Sequence, residues 1–118
     1  MDTFNVTIHA GDPARMRFLP AEALVDAGAS YTMLPAALLR RLDVPVTGRR
    51  PFVLASGDLI TREVGQTWVR VDGREVMTVV VFGDDGGPTL LGALTLEEFG
   101  LGVDPLGQRL IEVPGLLT

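Results

Sequence analysis

Cysteine and lysine are both absent from the 118 residues, and histidine, tryptophan and tyrosine occur once each. Without thiols there are no disulfides, thiolate zinc sites, iron–sulfur clusters or cysteine nucleophiles, so the folded state has to be held by packing. Without lysine there is no Schiff-base amine and no phosphate loop of the Walker type. His9 alone cannot supply a two-histidine metal site or a histidine relay within one chain. Long apolar runs are missing too. Val76 to Phe82 is broken by Thr78 and falls far short of the roughly 20 residues that a bilayer span needs. Met1 to Asn5 show neither the basic start nor the apolar run of a secretory signal, so the expected compartment is the cytoplasm and no membrane is involved.

What is present is carboxylate and arginine, 15 acidic side chains against 10 basic ones, for a formal charge of -5. An acidic surface repels phosphate backbones, and no basic stripe with interleaved aromatics offsets it, so nucleic acid is not an expected partner. Arg40-Arg41 closes a predicted helix, where cations complement the dipole, and Arg49-Arg50 reads as solvated surface. The length fits a single domain over residues 1–118, with 47% apolar residues to fill one core.

The pattern is β-rich, with two brief helices. Phe4, Val6 and Ile8 alternate with Asn5, Thr7 and His9, as in a half-buried strand, which also accounts for the sequon-like Asn5-Val6-Thr7. Leu34, Leu38 and Leu42, with Pro35 in the first turn, predict a two-turn amphipathic helix. Phe52 to Leu54 and Leu59 to Thr61 flank Ala55-Ser56-Gly57-Asp58 as a β-hairpin with a small tip. Trp68 to Val71 and Glu75 to Met77 surround Asp72-Gly73, a second hairpin signal. Val79 to Phe82 and Leu90-Leu91 read as further strands. Thr95 with Glu98 reads as a capping box for a helix stopped at Gly100, and Arg109 to Val113 as the last strand.

One segment combines an apolar strand with an ionisable group, Leu24-Val25-Asp26-Ala27-Gly28-Ala29-Ser30. A carboxylate placed directly after a strand and before a Gly-x-Ser turn is positioned to be pinned by backbone N–H groups, which suits an active acid. The alternative is a turn aspartate that caps its own backbone. Other motifs fail on spacing. Gly28 to Thr32 lacks the last glycine of a serine-hydrolase elbow. Asp84-Asp85 lacks the spaced oxygen ligands of a calcium loop, so no metal is expected. Gly100-x-Gly102 runs into Pro105 where a dinucleotide fingerprint needs glycine.

Asp26-Ala27-Gly28-Ala29-Ser30 resembles the Asp-Thr/Ser-Gly-Ala/Ser signature of retropepsin-like aspartic proteases. Later segments are similar in order: Tyr31 to Pro35 leading into a helix, the Ala55 to Asp58 hairpin, Leu90-Leu91-Gly92, the Leu94 to Phe99 helix, and Val103-Asp104-Pro105 with Arg109-Leu110-Ile111. The resemblance implies an all-β acid-protease barrel with two short helices and an active site at a homodimer interface. It implies an aspartic endopeptidase in which Asp26 is catalytic, one per subunit, and activates water without cofactor or metal. Gly28, Ser56, Gly57 and Asp58 would hold the backbone of a peptide or unfolded-protein substrate, with Leu54, Ile60 and Leu91 lining pockets. Ala27, Ala29, Ser30, Leu91 and Gly92 would support the loop. The chain departs from the signature at Ala27, where the family's hydroxyl ties the two loops together across the dimer. That departure keeps open a second reading, a non-catalytic or weakly active module for dimerisation or peptide binding.

Overall fold

The computed structural model describes residues 3–117. Among them, nine strands and two short helices follow the order β1 (Phe4–Gly11), β2 (Phe18–Val25), β3 (Thr32–Pro35), α1 (Ala36–Arg41), β4 (Gly48–Val53), β5 (Leu59–Val71), β6 (Arg74–Gly83), β7 (Leu90–Leu91), α2 (Ala93–Phe99), β8 (Leu101–Asp104) and β9 (Arg109–Glu112). Seven strands form one sheet ordered β1-β2-β7-β3-β6-β5-β4, and an added β1–β5 pairing closes six of them into a ring. The all-β barrel with two short helices expected from the sequence is the observed architecture. No helix among the described residues is long and apolar enough to cross a membrane.

Strand β5 carries two partners on one edge. Leu59 to Val64 pair with β4, while Val69 and Arg70 pair with Ala10 and His9 of β1. The seam to β1 is reinforced where the Thr67 hydroxyl donates to the Gly11 carbonyl. Asp72-Gly73 forms the predicted tight turn, with positive φ at both residues. Glu75 to Phe82 is one continuous strand, not two: β6 runs through Met77 and Thr78 and keeps its register with β5 from Val64 to Val71.

The core is aliphatic. Ile8, Ala10, Ala23, Leu34, Leu39, Leu42, Val69, Val80 and Leu91 are fully enclosed, and Leu96, Phe99 and Leu101 bring α2 and β8 onto the same cluster. Two local expectations are corrected. Leu34 lies in β3, paired in parallel with Phe82, so the leucines spaced by four do not share a helix. Helix α1 begins only after Pro35, and its buried residues are Ala36 and Leu39. The capping box is absent as well: α2 starts at Ala93 after Gly92, which places Thr95 inside the helix and fully buried. Its stop at Gly100 is as expected, with φ 73 in the left-handed region.

Candidate active site

The apolar end of β2 determines where Asp26 sits. Leu24 and Val25 pair in parallel with Leu90 and Leu91, and on its other edge β7 meets β3 through Met33. Two residues of β7 therefore separate the strands that enter and leave the Asp26 loop. Asp26 N–H donates to the Leu91 carbonyl at 3.1 Å, and the Asp26 carbonyl accepts from Ala29 N–H at 3.1 Å. Asp26 as a residue is half-buried, and its Oδ1 accepts from Gly28 N–H at 2.9 Å. A Cβ at Gly28 would stand 3.2 Å from that oxygen, so glycine lets the amide approach freely.

The far side of the loop is tied to the start of α2. Ala93 N–H donates to the Ala29 carbonyl at 2.8 Å, and Leu94 N–H to the Ser30 carbonyl at 3.0 Å. At Gly92 there is no room for a side chain, because a Cβ would lie 2.5 Å from both the carbonyl carbon and the oxygen of Tyr31. Gly92 N–H donates instead to the Thr32 hydroxyl at 3.1 Å. That hydroxyl donates to Thr95 Oγ1 at 2.6 Å, Thr95 and Thr78 share a bond of 2.9 Å, and Thr78 donates to Glu98 Oε1 at 2.6 Å. Since Thr32 and Thr78 both donate onward, the Thr95 proton must point to Thr78, and the whole chain of hydroxyls runs toward one carboxylate. Sequence reasoning missed this network. Its signal was three threonines at inward-facing positions, disguised by Thr95 and Glu98 being read as a helix cap.

Leu91 and Gly92 thus touch the loop as support. Leu91, also expected to line a pocket, is fully enclosed in the core and meets the loop only through its carbonyl. Ala27 is exposed and hydroxyl-free. It borders a groove of about 590 Å³ shared with Leu96, Gly100, Val103, Val113 and Leu116.

Ser56, Gly57 and Asp58 form the exposed tip between β4 and β5. Leu54 N–H donates to the Asp58 carbonyl at 2.8 Å, the Ser56 hydroxyl to Asp58 Oδ2 at 3.1 Å, and Gly57 turns with φ 91. Leu54 is exposed, and Ile60 is half-buried opposite Phe52. The hairpin curls strongly. In a flat ladder, the register from β3 through β6 and β5 would leave Phe52 roughly 20 Å beyond Tyr31 along the strands. In the structure their rings meet edge-on at 5.6 Å. The hairpin is therefore folded back over the residue that follows the Asp26 loop.

Carboxylates elsewhere are held as anions for structural reasons. N–H groups of Arg17 and Met16 hold the Asp12 carboxyl below its ordinary range, against the opposing effect of burial. Arg15 and Arg70 do the same for Glu75 by hydrogen bonds, and Gly107 N–H together with Arg109 for Asp104. Among the described residues, His, Asp and Glu side chains form no group able to hold a metal ion.

Comparison with known proteins agrees with this geometry. Residues 6–95 match a family model described as aspartyl protease. The solution structure of the simian foamy virus (mac) protease superimposes with a TM-score of 0.55 at 20% identity, covering 80% of this chain and 94% of that one. No curated protein matches the sequence.

Proposed function

Because the chain belongs to the aspartyl protease family, we propose that it is an aspartic endopeptidase acting as a symmetric homodimer, with Asp26 of each copy supplying one of two facing carboxylates. The observation that carries this reading is the placement of Asp26. It ends a core strand on a loop anchored from both sides, with Oδ1 held by Gly28 N–H and Oδ2 free of any hydrogen bond among the described residues. One carboxylate cannot act as both base and acid in the same step. A second copy related by a twofold axis provides the other, and two carboxylates at close range share a single proton. The ionised member takes a proton from water as the oxygen attacks the peptide carbonyl, and the protonated member donates to the carbonyl oxygen.

Several features support the dimer. The groove beside Ala27 is continuous with the loop, and the apolar side chains of Val113, Leu116 and Leu117 stand exposed near the C-terminus. An extended peptide or unfolded protein is the expected substrate, with its backbone held by the loop at Gly28 and by the hairpin tip Ser56 to Asp58. One observation favours the second reading: Ala27 offers no hydroxyl for bonding across the axis, as suits a dimerisation or peptide-binding module with weak activity.

Cleavage of an unfolded protein at mildly acidic pH decides between them. The expected result is a bell-shaped pH profile with both limbs dependent on Asp26, complete loss in Asp26→Asn with the fold unchanged, and a rate per chain that rises with concentration until the dimer saturates. Activity that survives Asp26→Asn, or climbs steadily into alkali, overturns the mechanism. A fully active monomer overturns the dimer.

A further inference from the structure

Arg50, on the β4–β5 hairpin, is an exposed cation held beside Tyr31. Arg50 and Phe52 alternate on one face of β4, and both lie against Tyr31, the residue after the Asp26 loop. The Arg50 guanidinium stands 5.1 Å from the Tyr31 ring centre and 5.9 Å from that of Phe52. Its Nη1 donates to the Tyr31 hydroxyl oxygen at 2.8 Å. That bond engages only one guanidinium donor and uses the phenol as acceptor, which leaves the phenolic proton and the remaining N–H groups available to a ligand. Arg50 takes part in none of the ion pairs formed among the described residues. Its cross-strand neighbour Arg62 is neutralised by Asp84 at 2.9 Å. Of the carboxylates near Tyr31, Glu98 accepts from Thr78, and neither Glu97 nor Glu98 pairs with Arg50. Among the described residues Arg40, Arg41 and Arg49 also form no ion pair, but of these four arginines only Arg50 lies against aromatic rings; Arg15 and Arg70, the other arginines so placed, are both paired with Glu75.

We infer that Arg50 and Tyr31 select a peptide bearing an acidic side chain close to the bond to be cut. The guanidinium and the phenolic O–H would together hold a carboxylate, while the bond to the Tyr31 oxygen and the flanking rings keep the guanidinium in place and so reduce what binding must order. This rests on the endopeptidase reading in one respect, that the space between the hairpin and the Asp26 loop takes a peptide. It adds what that peptide carries.

The test separates binding from chemistry. Short Leu- and Ala-based peptides with a single Glu walked along their length, and the same set with Gln, are titrated against the Asp26→Asn protein by fluorescence anisotropy at low and high salt. The expected result is roughly tenfold tighter binding of Glu over Gln at one position, reduced by salt, abolished in an added Arg50→Gln change and weakened in Tyr31→Phe. No preference at any position, or one that survives Arg50→Gln, overturns the inference. Wild-type protein that cleaves the peptides without distinguishing Glu from Gln also overturns it and leaves the protease reading intact. If the wild type cleaves nothing while Asp26→Asn still prefers Glu, the inference stands and the protease reading fails.

Discussion

Replacing Thr95 by Val tests whether the buried hydroxyl chain behind the Asp26 loop stabilises the fold as its geometry implies. The two side chains have nearly the same shape and similar helix propensity, so the change removes hydroxyl chemistry and little else. Two bonds disappear, from Thr32 at 2.6 Å and with Thr78 at 2.9 Å. Each contributes about 1 kcal/mol net, and the fully buried Thr32 hydroxyl is left with a proton and no acceptor, which costs a further 1–3 kcal/mol or so. The sum is about 3–5 kcal/mol. For a domain of this size that lowers the melting temperature by roughly 15 °C, read by far-UV circular dichroism, and it shifts the urea midpoint to match. The double variant Thr78→Val/Thr95→Val should lose about 1 kcal/mol less than the two single changes added together, because their shared bond is counted twice. Thr32→Val should cost about as much as Thr95→Val, since it too removes two bonds and strands one donor, Gly92 N–H. A Thr95→Val protein within about 0.5 kcal/mol of the wild type, or strictly additive double variants, would refute the idea that these hydroxyls act as one unit.

Gly92→Ala sets a methyl group against the Tyr31 backbone at 2.5 Å, so it should destabilise by about 3 kcal/mol and impair cleavage more than thermal stability alone explains, measured by melting and by kcat/KM. Ala27→Thr restores a hydroxyl to an exposed loop position; sedimentation should show a dimer tightened by about 1 kcal/mol per bond regained, and weaker association with an intact fold would refute the cross-axis role. The depressed carboxyls of Asp12, Glu75 and Asp104 stabilise the fold fully above their ordinary values of 3.8, 4.5 and 3.8, and that stability is lost as pH falls through the lower folded values. Asp12→Asn should therefore flatten the pH dependence of the urea midpoint below about pH 4, while leaving a mildly acidic working range untouched.

Much of the fold was legible because local and tertiary demands agreed. Asp72-Gly73 turned as its chemistry requires, and Leu90-Leu91-Gly92 ended a strand where a side chain could not continue. Of the candidate site, the pinning of Asp26 by a backbone N–H was legible, because its donor Gly28 lies two residues along the chain and the bond is local. Misreadings arose where a residue serves a distant partner. Leu34 belongs to β3 because Phe82 pairs with it, a fact that no spacing of leucines contains. Thr95 points inward to Thr32, which lies 63 residues away. The first half of β2 went unseen because Pro20 argues against a strand, yet that stretch pairs only with β1, where proline is tolerated. The contact of Arg50 with Tyr31 depends on the curl of the hairpin, which brings Phe52 back to Tyr31 across the two strands β6 and β5.

The short strand β7 has a consequence for how the chain can change in length. With only Leu90 and Leu91 paired to β2 on one edge and Leu90 alone to Met33 on the other, a single inserted or deleted residue between Thr89 and Ala93 shifts every partner at once. A slip one way turns a core leucine outward. A slip the other way carries a side chain onto the Tyr31 carbonyl in place of Gly92. Neither error can be absorbed locally, since Leu24 N–H and Asp26 N–H donate to Thr89 and Leu91 on one side while Met33 holds the other. A few residues earlier, Asp84 and Asp85 are held by Arg62 and by Ala37 N–H, but Gly86 to Pro88 lie outside the ladder, where a longer loop costs little entropy. Length variation among sequences sharing this architecture should therefore gather just before β7 and vanish within it, a boundary drawn by two leucines and a glycine.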